Sequence, residues 1–337
     1  MLHRSIFYVF VMLAMTVLAS APSTAVDYES LAKQFSSRAE QGDPIAQNNL
    51  GALYLQGKGV QQNYVTAKNW FEQAASQELP GAMFNLAMVY LRGYGVEADL
   101  NKTNHLLEKS AQRGDRDAQF FLGLHYSKGI GFDENLDAAK VWFRRAAEQG
   151  VAAAMYNLGV IYLDPDPAKG DETQALTWLE KASAKDYPGA ELVIARVHLS
   201  HVEDPLRMEK GAQQYMSLAE SNNLDAQIQL GMMYTFGQGV EQNYDEGRFW
   251  LERAASQGAS QAQLNLGNIF AEGLGVDKDL GLALAWYSIA AANGDQAAAK
   301  NATLLSDELD DAQKQAAEQK MLDLRERFGP DLNTVTH

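Results

Sequence analysis

The sequence predicts an all-α protein, an α-solenoid of seven consecutive helix-turn-helix repeats of 36 residues each, with capping helices. Three observations lead to this prediction. Steps of 36 residues from Gly51 reach a glycine or an alanine at seven positions in succession. A ring-bearing side chain follows three residues after each of them, and every tryptophan lies nineteen residues after one of them. Self-similarity at a fixed period of this length indicates a repeat protein.

Three repeat positions define columns that run through the predicted array. The small-residue column contains Gly51, Ala87, Gly123, Gly159, Ala195, Gly231 and Gly267. The ring column, three residues later, contains Tyr54, Tyr90, Tyr126, Tyr162, His198, Tyr234 and Phe270. The tryptophan column, nineteen residues after the small residue, contains Trp70, Leu106, Trp142, Trp178, Gln214, Trp250 and Trp286. We expect the small residues to let helices approach closely, and the large side chains to fill the core between them.

Each repeat is predicted to contain two helices. In the first repeat, the residues of the first helix that share one face are Ala46, Leu50, Gly51 and Tyr54, at three- and four-residue steps. The Gly57-Lys58-Gly59 turn ends this helix, since glycine readily adopts the left-handed conformation of a helix C-terminus. The second helix carries Ala67, Trp70, Phe71, Ala74 and Ala75 at the same spacing.

Two repeats in the middle of the array depart from this pattern. The fourth has Asp164-Pro165-Asp166-Pro167 where the others have a glycine turn. The fifth has His201-Val202-Glu203-Asp204-Pro205 in its turn, and it places His198 and Gln214 in the ring and tryptophan columns. Neither repeat changes in length. Because both depart from the repeat pattern, the middle of the array is expected to be looser or specialised.

The N-terminal 25 residues have the layout of a secretory signal peptide. His3 and Arg4 precede a nearly unbroken apolar run over residues 6–19, and Ser23-Thr24-Ala25 provides small residues for cleavage near Ala25. The run is short for a membrane span, although an uncleaved N-terminal anchor remains an alternative. The protein is therefore predicted to be periplasmic or secreted, with no stable membrane span after cleavage.

The rest of the chain is predicted to divide into three parts. Residues 26–42 form an N-terminal capping helix, residues 43–298 form the seven repeats, and residues 299–337 form a C-terminal capping helix and tail. Ser306 is expected to cap the last helix, which stops at Gly329-Pro330. Such polar capping helices shield the ends of a solenoid from solvent.

Charge and composition exclude several function classes. The net charge of -15 argues against nucleic acid, whose affinity for proteins comes from lysine and arginine contacts to phosphates. The chain has no cysteine, which excludes disulfides, thiolate zinc sites and a cysteine nucleophile. We therefore expect no cofactor, while the oligomeric state is left open.

The repeat pattern A-x-x-x-L-G-x-x-Y-x-x-G-x-G-V…A-x-x-W-x-x-x-A-A resembles the Sel1-like repeat family. Residues 226–255 display it almost completely. The resemblance implies a right-handed superhelix similar to tetratricopeptide arrays, acting as an adaptor for protein complexes. Many bacterial members are secreted or periplasmic. One secreted branch pins each repeat with a disulfide and has been described as a β-lactamase, and this chain lacks the cysteines of that branch.

Candidate catalytic and metal-binding residues are few. Ser30-Leu31-Ala32-Lys33 matches the S-x-x-K pattern of penicillin-binding enzymes, but no S-D-N or K-T-G motif follows. His198 and His201, with the two acids that follow them, could ligate a metal, unless His198 merely replaces a core tyrosine. The acids of the fourth repeat that could bind calcium or simply form a solvated turn are Asp164, Asp166, Asp171 and Glu172. We predict no catalytic residue and no metal site, and a cell-wall or β-lactam hydrolase is the alternative function.

The predicted function is a non-enzymatic scaffold or adaptor of the bacterial envelope that binds a peptide or protein segment on its concave face. In tetratricopeptide-like arrays, the first helices line that face. Positions two before, one after and five after the small residue form a helical stripe offset from the core. The predicted partner-binding residues on this stripe are Asn85, Met88, Arg92, Phe121, Leu124, Lys128, Asn157, Val160, Arg196, Met232 and Phe236.

The chemistry of the stripe favours an amphipathic or acidic peptide. Its apolar members would form a trough, and Arg92, Lys128 and Arg196 would add positive charge. Asparagine, which recurs two residues before the small residue, could hold an extended backbone with a donor and an acceptor together. Two alternatives stay open: these asparagines are packing residues, or the apolar side chains pack against adjacent helices.

Overall fold

The computed structural model describes residues 27–166 and 170–329, and all regular secondary structure in these ranges is α-helical. The predicted all-α fold is confirmed. The chain divides into two compact units after Gln149. The first unit contains α1 (Tyr28–Glu40), α2 (Pro44–Gln56), α3 (Tyr64–Ser76), α4 (Pro80–Arg92), α5 (Leu100–Gln112), α6 (Arg116–Lys128) and α7 (Leu136–Glu148). The predicted signal segment and most of the C-terminal tail lie outside the described residues.

The second unit contains four repeats and the last two helices. Its elements are α8 (Ala152–Tyr162), α9 (Glu172–Ser183), α10 (Ala190–Leu199), α11 (Pro205–Glu220), α12 (Leu224–Phe236), α13 (Tyr244–Ala255), α14 (Ser260–Glu272), α15 (Leu280–Ala292), α16 (Gln296–Glu308) and α17 (Asp311–Phe328). Helices α2 to α15 pair in order as the first and second helices of repeats one to seven, and the two helices of each repeat pack against each other.

Glycine turns and polar caps set the helix boundaries. The α2 helix ends at Gly57, whose φ of 69° is left-handed and whose N–H donates to the carbonyl of Leu53. Four other first helices, α4, α6, α12 and α14, end at a left-handed glycine in the same way. The two exceptions, α8 and α10, end at Leu163 and Ser200, in the repeats whose sequences lack the glycine turn. Every second helix begins after an Asn or Asp whose side chain accepts a backbone N–H.

The two helices of a repeat meet where the small-residue column faces a buried side chain of the second helix. A Cβ added at Gly51 would lie 2.8 Å from the Phe71 ring, and one added at Gly231 would lie 2.6 Å from Cγ of Leu251. The facing residue stands twenty positions after the small residue in every repeat. This core column contains Phe71, Leu107, Phe143, Leu179, Tyr215, Leu251 and Tyr287, and all seven side chains are buried.

The tryptophan column lies beside this core column and is less uniformly buried than the sequence predicts. Trp286 is fully buried, and Trp178 and Trp250 are buried, but Trp70 and Trp142 are only half-buried. Three tryptophans carry a cation over the ring, and for Trp178 this is the Lys181 ammonium at 4.0 Å from the ring centroid. The prediction that the whole column is core is therefore wrong for Trp70 and Trp142, because the next residue along the helix occupies the interior.

Side-chain amides join successive helices of the array. In the first repeat, the Gln47 amide donates to the carbonyl of Ala39 at the end of α1, and the Gln77 amide donates to Gln47 Oε1 at 2.9 Å. One buried amide thus connects three consecutive helices, and it satisfies a carbonyl that the helix end leaves unpaired. Equivalent amide pairs occur in three further repeats: Gln119 with Gln149, Gln227 with Gln257, and Gln263 with Asn293.

The C-terminal end differs from the sequence prediction. Ser306 does not cap the last helix, because α16 continues through it to Glu308 and the chain then turns at the buried Leu309. The cap is Asp310, whose side chain accepts the Gln313 backbone N–H while the Gln313 side chain accepts the Asp310 N–H. A reciprocal capping box satisfies two backbone donors, whereas Ser306 offers only a single hydroxyl. Among the described helices, none is both long and apolar enough to cross a bilayer.

The contact between the small-residue and core columns gives a first prediction. We expect Gly231→Ala to lower the free energy of unfolding by about 1–3 kcal/mol, because the added methyl group overpacks against Leu251. Gly281→Ala is the matched control, since a Cβ there meets nothing closer than 3.4 Å and alanine favours the helix. We expect the control to be neutral or to stabilise by up to about 1 kcal/mol. Urea unfolding followed by circular dichroism measures both, and equal effects would contradict the packing.

Candidate interaction surface

The predicted stripe on the first helices combines exposed, half-buried and buried side chains. In the first unit, Arg92 and Lys128 are exposed at the ends of α4 and α6, and Met88, Phe121 and Leu124 are half-buried. Met88 and Phe121 pack against the core around Leu107, with the Phe121 ring 5.5 Å from that of Phe84. Met88 and Phe121 therefore pack against neighbouring side chains and also keep part of their surface in solvent.

Two of the predicted asparagines use their donor groups inside the fold. The Asn85 side chain is buried, and its amide donates to Asn48 Oδ1 at 2.8 Å. The Asn157 amide donates to the carbonyl of Ala153, one turn earlier in the same helix, at 2.7 Å. These contacts match the packing interpretation of the asparagine column, because a donor that already has a partner gains little from a peptide.

In the second unit, the predicted residues are spread over three first helices. Asn157 and Val160 lie half-buried on α8, and Arg196 is exposed on α10. Met232 is half-buried on α12, and Phe236, the last residue of that helix, is 51% exposed. No single helix carries all of these predicted residues, which are spread over three repeats of this unit.

A groove opens on this surface of the second unit, with a volume of about 640 Å³. It lies among α10, α11, α12 and the start of α14. Arg196 is the predicted residue that lines it, and the groove side chains that sequence analysis missed include Leu199, Val202, Tyr215, Asp225 and Ile228. Met232 and Phe236 do not line it. A mixture of apolar and polar side chains in a concave surface is the usual composition of a ligand site.

The fifth repeat, beside this groove, contains buried polar groups that lack partners. His198 is 5% exposed, and neither of its ring nitrogens makes a hydrogen bond. The buried Oε1 of Gln214 and Nε1 of Trp178 also lack partners. Next to them, Glu172 accepts from His201 at 2.6 Å and from Arg207 at 2.5 Å. These contacts lower the pKa of Glu172 against the opposing effect of burial, which is the largest single influence.

The candidate metal and calcium residues do not converge. Within residues 27–166 and 170–329, no three or more His, Asp and Glu side chains gather as a cation site would require. Asp171 caps α9 by accepting the Gln174 backbone N–H, and Asp164 accepts the backbone N–H of Asp166. Asp164 and Asp171 therefore accept local backbone N–H groups, and Glu172 binds His201 and Arg207 as described above.

The S-x-x-K residues lie on the exposed helix α1. The Lys33 ammonium is bound to Glu29 at 2.9 Å, and this hydrogen bond and the charge of Glu29 raise the pKa of Lys33. A lysine that acts as a general base needs a lowered pKa, which burial or a neighbouring cation provides. The local geometry gives Ser30 no activating partner of that kind.

Comparison with known proteins gives a consistent family match. The model of the Sel1 repeat matches residues 44–79, 80–115, 116–151, 152–187, 224–258 and 260–295, which are repeats one to four, six and seven. Residues 188–223, the fifth repeat, are not among the matched segments. No curated protein matches the chain.

Two solved structures share the fold. A protective antigen of uropathogenic Escherichia coli strains, which displays an SLR fold, is 28% identical with a TM-score of 0.71, over 91% of this chain and 66% of that one. A Sel1 repeat protein from Oxalobacter formigenes is 31% identical with a TM-score of 0.61, over 81% of this chain and 79% of that one. The chain thus spans slightly less than two thirds of the length of the antigen.

The two buried histidines give a pH prediction. Burial lowers the pKa of His125 to about 4, and its Nδ1 donates to Asn104 Oδ1 at 2.6 Å. Burial also lowers the pKa of His198, helped by Lys210 and Arg207 and opposed by Glu172 and Glu180. Both rings bind a proton less readily when folded than when unfolded. The stability they support is therefore complete above pH 6.5 and falls as the pH drops below it, down to about 4 for His125.

Urea unfolding at pH 7.5 and at pH 5 tests this prediction. For His125 alone, we expect a loss of roughly 2 kcal/mol between these pH values, from about 1.4 kcal/mol per pKa unit. His125→Gln and His198→Tyr should each reduce the difference between the two pH values, whatever their effect at pH 7.5. Tyrosine is the residue that most other repeats have in the ring column. An unchanged pH difference in both variants would show that the two histidines are not responsible.

Proposed function

The chain belongs to the Sel1 repeat family, and on that basis we propose that it is a non-enzymatic scaffold or adaptor of the bacterial envelope. Proteins built from Sel1 repeats generally act as protein-protein interaction scaffolds. In this proposal, the chain binds a peptide or protein segment on the concave face lined by the first helices of its repeats, and Phe121, Arg92, Lys128, Arg196 and Phe236 contribute to binding.

The observation that supports this proposal most strongly is that packing fixes the residue type at some positions of the repeat and leaves it variable at others. The small-residue column is always glycine or alanine, and the core column is always a large buried side chain. The stripe position five residues after the small residue changes in every repeat: Gln56, Arg92, Lys128, Asp164, Ser200, Phe236 and Glu272. Positions free of the packing constraint can differ in charge and size, and variation along a regular scaffold is how repeat proteins present a specific surface.

The envelope location is supported by the signal-like segment and by one relative. Residues 1–25 combine a short basic region, an apolar run and small residues before Ala25. The similar structure from uropathogenic Escherichia coli is a protective antigen. An antigen that protects a host must be reached by immune molecules, which fits a protein exported from the cytoplasm.

A capture experiment tests the proposed function. The tagged full chain is cross-linked in the envelope fraction of its native cells, and the co-purified proteins are quantified by mass spectrometry. We expect Phe236→Ala and the double variant Arg92→Glu, Lys128→Glu each to lose most of one captured partner. Removing an exposed aromatic anchor or reversing a charge at an interface commonly weakens binding by about 1–4 kcal/mol.

Phe249→Ala is the matched control for this capture. Phe249 is 53% exposed on the second helix α13, against 51% for Phe236 on the first helix α12. Both changes remove an equally exposed aromatic ring, one from a first helix and the other from a second helix, where the Phe249 ring lies 5.1 Å from that of Trp250. Capture that survives all stripe changes but is lost in Phe249→Ala would place the binding surface on the second helices and refute the proposal.

A further inference from the structure

The fifth repeat, α10 and α11, departs from the others in sequence and in backbone. Its residues 188–223 are passed over by the Sel1 match that includes its neighbours on both sides. Its second helix is 16 residues long, against 12 or 13 in the other repeats, because Asp204 and Pro205 start the helix early in place of a glycine turn. Natural proteins tend to break their own local rules at functional sites.

The shortened turn exposes apolar surface. Leu206 is 78% exposed and Val202 is 67% exposed, the two highest values among the exposed large hydrophobic side chains of the described chain. Val202 lines the groove of the second unit together with Leu199 and Met208 of the same repeat. An apolar rim beside an open groove is typical of a binding site, since apolar contact drives the docking of side chains.

Two charges of opposite sign lie near a tyrosine in this groove. Arg196 on α10 and Asp225 on α12 make no ion pair with any described residue, and both act on the hydroxyl of Tyr215, to which the Arg196 side chain also hydrogen-bonds. Burial raises the pKa of Tyr215, Arg196 lowers it and Asp225 raises it further. The groove thus presents one cation and one carboxylate near a buried aromatic ring, and neither charge forms an ion pair with a described residue.

Amide side chains complete the lining. Gln229 and Gln238 face the groove, and their side chains make no hydrogen bond with a described residue. An amide offers a donor and an acceptor together, as the backbone of an extended peptide requires. A small apolar ligand would leave both charges and both amides unsatisfied, whereas a charged segment of protein satisfies them.

We propose that this groove binds an extended peptide segment of a partner protein, with an acidic side chain at Arg196, a basic side chain at Asp225 and an aliphatic side chain packed on Leu199 and Val202. This inference rests on the proposed function and narrows it to one occupant. The opposite charges fix the direction in which the peptide lies, since reversing it would place like charges together.

Selection from a random ten-residue peptide library on the immobilised full chain tests the proposal. We expect enriched peptides to carry one acidic and one basic residue at a fixed spacing, together with an aliphatic residue. A synthetic fluorescent copy of the enriched peptide is then titrated by anisotropy. Arg196→Glu and Asp225→Lys should each weaken its binding by about tenfold or more, the usual effect of placing like charges together.

Charge exchange separates recognition from misfolding. The double variant Arg196→Glu, Asp225→Lys should lose the original peptide and bind a copy whose acidic and basic residues are exchanged. The control is Asp277→Lys, Lys278→Glu, an equivalent exchange of two exposed residues that do not line the groove. We expect the control to bind the original peptide as the natural sequence does.

Three outcomes would overturn the proposal: no enriched peptide, enriched peptides without the charge pattern, or binding unaffected by either charge variant. The broader scaffold function would survive each of them if the stripe variants Phe236→Ala and Arg92→Glu, Lys128→Glu still lose their partner in the capture experiment. Conversely, a peptide could bind in the groove while the stripe variants still capture the partner. That result would support the proposed groove site and refute partner binding by the rest of the stripe.

Discussion

The close contact between a glycine or alanine on the first helix of each repeat and a large side chain on the second helix is the constraint on which the rest of the structure depends. A Cβ added at Gly231 would lie 3.0 Å from the carbonyl oxygen of Gly247 as well as 2.6 Å from Leu251. The two helices can approach to this distance only because the position is small. Their separation fixes where the next helix can pack, so one residue sets the geometry of each repeat.

Other contacts that stabilise the array occur in only some of the repeats. Buried amides such as Gln47 join three consecutive helices in repeats one, three, six and seven, and polar caps begin every second helix. The second, fourth and fifth repeats have Met83, Met155 and Glu191 at the position of this glutamine. The fifth repeat also buries His198 without a hydrogen-bond partner. Buried polar groups in the fifth repeat are therefore incompletely hydrogen-bonded, and the same repeat lines the groove that contains Arg196 and Asp225.

The sequence predicts the helical repeats well because their period is regular and their glycine turns have a direct physical meaning. It also identifies the fourth and fifth repeats as departures, and their first helices indeed end without glycine. It treats the whole tryptophan column as core, whereas the uniformly buried position is the next residue along the helix, occupied by Phe71 and Leu107 in the first two repeats. The orientation of each helix, which decides between adjacent positions, depends on tertiary packing that periodicity alone does not specify.

Some residues of the candidate site could likewise be predicted from the sequence, and others could not. Arg196 and Phe236 could be predicted because they stand on a regular helical stripe. Asp225, Val202 and Tyr215 could not, because they meet Arg196 only when three helices and an irregular turn are folded together. The asparagines of the stripe had two interpretations of equal standing, and only the position of Asn48 shows that Asn85 already has a partner.

The central claim is that packing occupies one face of each repeat and that recognition uses the stripe on the first helices. Amide hydrogen exchange of the full chain, with and without its captured partner, tests this claim most directly. We expect the partner to slow exchange in the first helices and in the turn and second helix of the fifth repeat, whose Met208 and Tyr215 line the groove, while exchange of the other second helices is unchanged. Slower exchange confined to those other second helices would contradict the claim.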